Sequence, residues 1–294
     1  MTNHKSFHLT NIGKMVTANS DGIQSFENTS ILIENGQIAA IGEGNADYFI
    51  DCGGKMVTAG FVDSHTHPVF FNKRDEEYAM QLAGASYEDI AAAGGGIVSS
   101  VEGVRKASRE ELKEKLSSRM DRFISMGTTT VEAKSGYGLD VNSELKSLEV
   151  IDAVNQVHTI DMVPTFMGAH AFPKEFANDH DAYIDLICNE MIPSVAEQGI
   201  ALFNDVFCEE GYFTVKYTKR IFESGKKHGL KPRLHADEFV DSGAAELAGE
   251  VGAFSADHLM AVSEDFLQIF SYPFPRNQIP WDTEWNLVEN AVFY

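Results

Sequence analysis

The spacing of hydrophobic and polar positions changes once along the chain, near residue 58. Before that point, short apolar runs are separated by turns. Residues 30–33 are followed by Glu34-Asn35-Gly36, then by a second run over 37–41 and another glycine. An Asn-Gly between two apolar runs is a strand–turn–strand pattern. No helical period is present, so residues 1–57 read as a small β domain.

After residue 58 the pattern becomes strand, then helix, repeated. Residues 59–63 form a short apolar strand ending at Ser64-His65. Ser108 opens a helix with a capping box, because Glu111 lies three residues on. Leu112, Leu116, Met120, Phe123 and Ile124 share one face, and Gly127 supplies the stop. Strands are predicted over 128–133, 160–167, 200–207, 232–236 and 253–257. Helices are predicted over 143–157, 181–197 (ended by Gly199), 214–228 (before Gly229) and 241–250.

Six strands joined by helices require parallel crossovers and an α/β fold. His65, His67, Lys134, His170, Glu209, His235 and His258 all fall where strands finish. A (β/α)8 barrel keeps its active site there, and an open doubly wound sheet also binds ligands at strand ends. Convergence of residues from all six strands on one mouth favours the barrel, here incomplete, with about six strand–helix units over 58–262. The stretch 263–294 breaks the pattern. It holds both tryptophans and three of the eight prolines.

Composition narrows the classes. Among 294 residues, 44 are acidic and 23 basic, a net charge of −21, and 44% are hydrophobic. That balance is globular. The negative charge opposes binding to nucleic acid or to an anionic membrane surface. No apolar run approaches the ~18 residues of a membrane-spanning helix, and the start MTNHKSFHLTN is not a signal peptide. Cys52, Cys188 and Cys208 are widely spaced, as expected of reduced thiols in a cytoplasmic protein. The expectation is an acidic cytoplasmic protein with a small-molecule partner, and nothing excludes a homodimer.

His65-Thr66-His67 carries the sharpest local chemistry. Residues i and i+2 of an extended segment project to one side, so both imidazoles can reach one ion, and imidazole suits zinc, iron and nickel. By itself HxH is equally well two surface histidines; here it ends the apolar strand AGFVDSHTH. His235, in KPRLHADEF, supplies a third nitrogen at a strand end and leaves coordination open for water. Glu238, three residues later, can take a proton from that water. His258, ending FSADH, can serve as a fourth ligand or as a proton carrier. Asp63 is expected behind the metal rather than on it, and Asp257 is expected to point away. Gly94-Gly95-Gly96 reads as a mobile loop, and Ser135-Gly136-Tyr137-Gly138 as either a ligand-approaching loop or an ordinary turn. Arg74 is a surface cation or a fork for a substrate carboxylate. No GxSxG elbow is present.

Taken together, AGFVDSHTHPVF, AAAGGGI, EAKSGYGL, FMGAHAFP, RLHADEF and SADHL resemble the imidazolonepropionase family of the amidohydrolase superfamily, over about residues 5–262. The resemblance implies a metal-dependent hydrolase of histidine degradation. Such an enzyme opens the cyclic amide of 4-imidazolone-5-propanoate to N-formimidoyl-L-glutamate. It implies that His65, His67 and His235 hold one Zn2+ or Fe3+ per chain. Glu238 would activate water, His258 would assist proton transfer, and Arg74, Tyr137 and His170 would bind substrate. It also implies seventh and eighth barrel strands, the eighth bringing an aspartate ligand. Neither is recognisable after residue 262, and Asp282 is the only substitute, with no apolar strand leading into it. An open barrel would expose strand edges, so the chain is expected to be poorly soluble or inactive. Two alternatives stand beside the first reading: another cyclic amidohydrolase or deaminase, and a non-catalytic chain that still binds metal or substrate.

Overall fold

The computed structural model describes residues 5–19, 22–85, 95 and 97–263. Gly94 and Gly96 of the expected glycine loop, and residues 264–294 with Asp282, lie outside the described residues. The chain divides into two compact units between Phe61 and Val62.

In the first unit, β1 (Ser6–Asn19) and β2 (Gly22–Glu34) form an antiparallel ribbon, and β3 (Gln37–Ile41) pairs with β2. Strands β4 (Tyr48–Asp51) and β5 (Met56–Thr58) run parallel to β1. The Asn35-Gly36 turn has φ of 54° and 78°, the left-handed pair that a two-residue hairpin turn needs. The first two strands outrun the apolar segments read from the sequence, and polar pairs such as Lys14–Glu27 and Thr17–Gln24 continue the ladder on either side of Met15–Phe26. Ile12, Met15 and Ile31 form this unit's buried cluster.

The second unit contains a six-stranded sheet: β6 (Phe61–Thr66), β7 (Thr128–Lys134), β8 (Asp161–Ala169), β9 (Phe203–Cys208), β10 (Lys231–Ala236) and β11 (Ser255–His258), ordered as in the sequence. Pairing from β7 to β11 is parallel throughout. Its two outermost strands come back within side-chain reach. His65 on β6 contacts Asp257 on β11, so the sheet is curled into a nearly closed barrel of the α/β type.

Helices α1 (Asp75–Leu82), α2 (Ile97–Lys106) and α3 (Arg109–Ser125) lie between β6 and β7. Ser108 and Glu111 form the reciprocal cap expected of α3, and Leu112, Leu116 and Met120 are its buried stripe. Helix α1 buries no side chain and was not legible from periodicity; its acidic first turn, Asp75-Glu76-Glu77, suits the positive end of a helix dipole. Helix α4 (Val141–Asn155) follows β7.

The helix expected over 181–197 runs without interruption from His180 to Gln198, as α5 (His180–Leu186), a π-helical stretch at Ile187–Met191 and α6 (Ile192–Gln198). Pro193 accounts for the widened turn, since it cannot donate to the preceding turn and its ring crowds the carbonyl four residues back. Helices α7 (Val215–Lys227) and α8 (Ala244–Val251) precede β10 and β11. Between the helices and the sheet lies one apolar core that includes Val131, Phe166, Val206, Leu234 and Phe222. Among the described residues, no helix is long and apolar enough to cross a membrane.

Candidate metal centre

Side chains alternate across a strand, so residues two apart share a face. On β7 and β10 one face carries Val131, Ala133, Leu234 and Ala236 into the apolar core. The opposite face carries Glu132, Lys134, Arg233 and His235, with Asp205 on β9 between them, all buried. Lys134 Nζ lies 2.8 Å from Glu132, 2.6 Å from Asp205 and 3.6 Å from Asp257. Arg233 reaches Asp257 at 3.7 Å and donates to the Ser64 carbonyl at 2.9 Å. Barrel interiors are usually filled by branched apolar side chains. This one is filled by a charged network.

Four imidazoles gather beside that network. Ring centres of His65 and His235 are 4.4 Å apart, and His258 lies 4.9 Å and 5.0 Å from them. His67 is 5.3 Å from His65 and 5.2 Å from His235. Ligand atoms of His65, His235 and His258 fall within 4.8 Å of one another, as do those of Asp205, His235 and Asp257. His67 is tied to this set through its Nε2, 3.1 Å from His235 Nε2. The close trio therefore contains His258 where sequence reasoning had His67, and His67 sits against its edge.

Carboxylates behind the rings set their tautomers. Asp257 accepts from His65 Nδ1 at 2.8 Å, and Asp205 accepts from His235 Nδ1 at 2.9 Å. Each ring then carries its proton on Nδ1 and presents a lone pair on Nε2. Burial pushes the Asp205 and Asp257 carboxyls up. Asp205 is nonetheless held well below the usual range by His235 and Lys134, and Asp257 is held low by His65, Lys134 and Arg233. Burial also lowers the imidazoles: His67 well below its ordinary value, His170 to about 4 and His235 to about 3. All three are neutral at pH 7, the form a metal requires of its ligands.

The remaining expected residues are placed as follows. His170 stacks on His67 with centres 4.8 Å apart, and its Nδ1 donates to the Gly136 carbonyl at 2.9 Å. Tyr137 lies 5.1 Å from His170 and 5.9 Å from His67. Glu238 Oε2 is 3.6 Å from His258 Nε2. Burial, then the Glu209 carboxylate, raises the Glu238 pKa. Buried Glu209 accepts the backbone N–H groups of Glu238, Phe239 and Val240 at 2.7, 3.0 and 3.3 Å, which fixes the loop carrying Glu238. Arg74, in contrast, is paired with Glu77 at 2.6 Å.

One sequence expectation needs correction. Asp257 does not point away: β11 is the outermost strand of a curled sheet, so its side chain meets His65 on the opposite margin. Asp63, expected behind the metal, accepts the His65 backbone N–H at 3.3 Å. Asp205, Glu132 and Arg233 were missed altogether. Their signal was available in TVEAK, FNDVF and KPRLH, where charged residues stand at alternate positions inside otherwise apolar strands.

This donor set fits a metal ion. With Nδ1–H of His235 given to Asp205, its Nε2 is a bare lone pair facing His67 Nε2. His67 Nδ1 is buried without a partner among the described residues whichever ring nitrogen carries the proton. The two Nε2 atoms, 3.1 Å apart with that of His235 a bare lone pair, are placed to share a cation, and neutral imidazoles with carboxylates behind them are the usual surroundings of zinc or iron.

No protein-family model matches the chain. In fold it is similar to a guanine deaminase from C. acetobutylicum (TM-score 0.58, 14% identity, 92% of this chain and 65% of that one). It is likewise similar to a mutant of atrazine chlorohydrolase TrzN from Arthrobacter aurescens TC1, complexed with zinc and atraton (TM-score 0.53, 13% identity, 84% of this chain and 58% of that one). Its fold, a curled parallel sheet covered by helices, is of the α/β-barrel type that these structures share. Imidazolonepropionase from Geobacillus thermodenitrificans is 48% identical over 266 residues, 86% of this chain and 62% of that protein. By sequence the chain belongs to the imidazolonepropionase family, and it spans about three fifths of the length of the curated relatives it matches.

Proposed function

We propose that the protein hydrolyses the cyclic amide C–N bond of 4-imidazolone-5-propanoate to give N-formimidoyl-L-glutamate, with one Zn2+ or Fe3+ held per chain by His65, His67 and His235. The observation that carries this reading is the convergence of these imidazoles, two of them locked by Asp205 and Asp257, beside Glu238 and His258. The 48% identity to an imidazolonepropionase supports the choice of substrate. The zinc in the triazine hydrolase of similar fold supports the choice of metal.

When bound, the ion supplies Lewis-acid polarisation of the ring carbonyl and makes water acidic enough to ionise near neutral pH. Glu238 takes the proton released as water oxygen adds to the carbonyl carbon, and returns it to the ring nitrogen as the C–N bond breaks. Its raised pKa suits both duties. His258, kept neutral chiefly by burial, stands 3.6 Å from that carboxylate and passes protons onward. His170 has its Nδ1–H engaged by Gly136, so its Nε2 accepts a substrate N–H. Tyr137 packs beside it. Arg74 retains N–H donors beyond the one given to Glu77, enough to grip the propanoate in a fork. The setting we infer is cytoplasmic, the partner a small molecule, and a homodimer the assembly to look for by sedimentation.

The test is consumption of 4-imidazolone-5-propanoate by metal-loaded protein, with Glu238→Gln beside it. Against the sequence expectation of an inactive chain, the assembled site predicts turnover, abolished by chelation and reduced about 10²–10⁴-fold in E238Q. A folded, metal-loaded chain that leaves this compound intact, or turns over only another cyclic amide, overturns the reading.

A further inference from the structure

Lys134 takes no part in the chemistry just described, yet it is fully buried. Its ammonium contacts three carboxylates at once: Glu132 at 2.8 Å, Asp205 at 2.6 Å and Asp257 at 3.6 Å. Two of those carboxylates are the ones that hold imidazoles. Asp205 fixes His235 on the neighbouring strand, and Asp257 fixes His65 across the gap between β11 and β6.

We propose that Lys134 is a positioning residue of the metal centre: a single buried ammonium ties Asp205 to Asp257, and through them aims His235 and His65 at one ion. The proposal rests on the metal-centre reading above and adds to it a residue that touches neither metal nor substrate.

Geometry and charge both require such a group. Asp205 and Asp257 stand close enough, with His235, to form a cation-binding trio, so without a cation between them two buried carboxylates would repel. Lys134 and Arg233 offset two of the three negative charges of Glu132, Asp205 and Asp257. One net negative charge remains behind neutral imidazoles, which favours a metal cation in front of them. Arg233 cannot replace the lysine in this role. The two cations reach Asp257 at similar distances, 3.7 Å and 3.6 Å, but Arg233 spends one donor on the Ser64 carbonyl, and among the described residues it is the Lys134 ammonium that also bonds Asp205, at 2.6 Å. Both carboxylates use one oxygen for the ammonium, Oδ2. Asp205 keeps Oδ1 for His235, and Asp257 offers the same Oδ2 to His65. A neutral side chain at 134 would free Asp205 to rotate and would leave Asp257 to Arg233, so both rings would lose their fixed direction.

The experiment compares zinc affinity of the unchanged protein and of Lys134→Met by competition with a chromophoric chelator. Far-UV circular dichroism checks that each is folded. The cobalt-loaded forms are compared by their visible d–d spectra, which report ligand geometry. Wild type binding one zinc while K134M binds it about 10–100-fold more weakly, with an altered cobalt spectrum, is expected. K134M binding zinc equally tightly with the same cobalt spectrum overturns the proposal. Failure of the wild type itself to bind zinc overturns the metal-centre reading instead, so the two failures are told apart. Should K134M not fold, 15N NMR of lysine ammonium groups in the unchanged protein decides. One exchange-protected ammonium whose resonance moves on zinc addition supports the proposal, and a folded protein with no protected ammonium overturns it.

Discussion

His65 and Asp257 stand 192 residues apart in the chain and are joined by a 2.8 Å hydrogen bond across the margin of the curled sheet. That bond brings the two outermost strands together and also turns the His65 Nε2 toward its neighbours. A structural contact and a metal-orienting contact are here the same contact.

Asp257→Asn tests its second role. The amide oxygen can still accept from His65 Nδ1, but the charge shared with Lys134 and Arg233 is gone. Zinc affinity measured by chelator competition is expected to fall about 10-fold or more. Affinity equal to wild type would show that the carboxylate charge does not matter to the ion.

Much of this site was legible in the sequence, and its gaps have a physical cause. HTH and HADEF stood out because histidines at strand ends are conspicuous against apolar strands, and Ser108 announced α3 through its own side chain. Asp205, Glu132 and Arg233 did not stand out. A buried charge inside a strand is tolerated only when partners neutralise it. Glu132 has Lys134 two residues along its own strand, but Asp205 and Arg233 meet theirs on other strands, tens of residues away. Asp257 was assigned the wrong direction because alternation along one strand cannot register the closure of a sheet. The helix over 181–197 was legible as one element, and Pro193 within it marks where the helix widens rather than where it ends.

His170 gives the chain an acid-side weakness. Burial lowers its pKa to about 4, against about 6.5 when unfolded, so between those values the unfolded chain binds the proton and the folded one does not. Its neutral state costs nothing above pH 6.5, and stability declines as pH falls from there toward 4, by roughly 3 kcal/mol from this group alone. Urea midpoints of the metal-free chain should drop steadily between pH 7 and pH 4.5. His170→Gln should flatten part of that slope; an unchanged slope would assign the effect elsewhere.

Glu144 holds the loop that carries Tyr137. Fully buried, it accepts the backbone N–H groups of Gly136, Gly138 and Leu139 at 3.0, 2.8 and 2.9 Å. Glutamine at this position presents a donor where a second acceptor is needed, so Glu144→Gln should lose about 1–3 kcal/mol in denaturant unfolding. Because Tyr137 and His170 both depend on this loop, KM for imidazolonepropanoate should rise more than kcat falls. A fall in kcat with KM unchanged would place Tyr137 away from the substrate.

A control lies at the cap of α3. Ser108→Ala removes one half of the capping box and should cost about 1 kcal/mol of stability. Zinc affinity should be the same as in the wild type, and a parallel loss of metal would mean that binding follows global stability rather than the local arrangement of rings.

X-ray absorption at the zinc edge of the loaded protein reaches the central claim most directly. The arrangement of His65, His67 and His235 predicts one zinc per chain, with imidazole nitrogens at about 2.0–2.1 Å and the multiple scattering characteristic of histidine rings. A spectrum without imidazole scattering, or with sulfur at about 2.3 Å from one of the three cysteines, would contradict it.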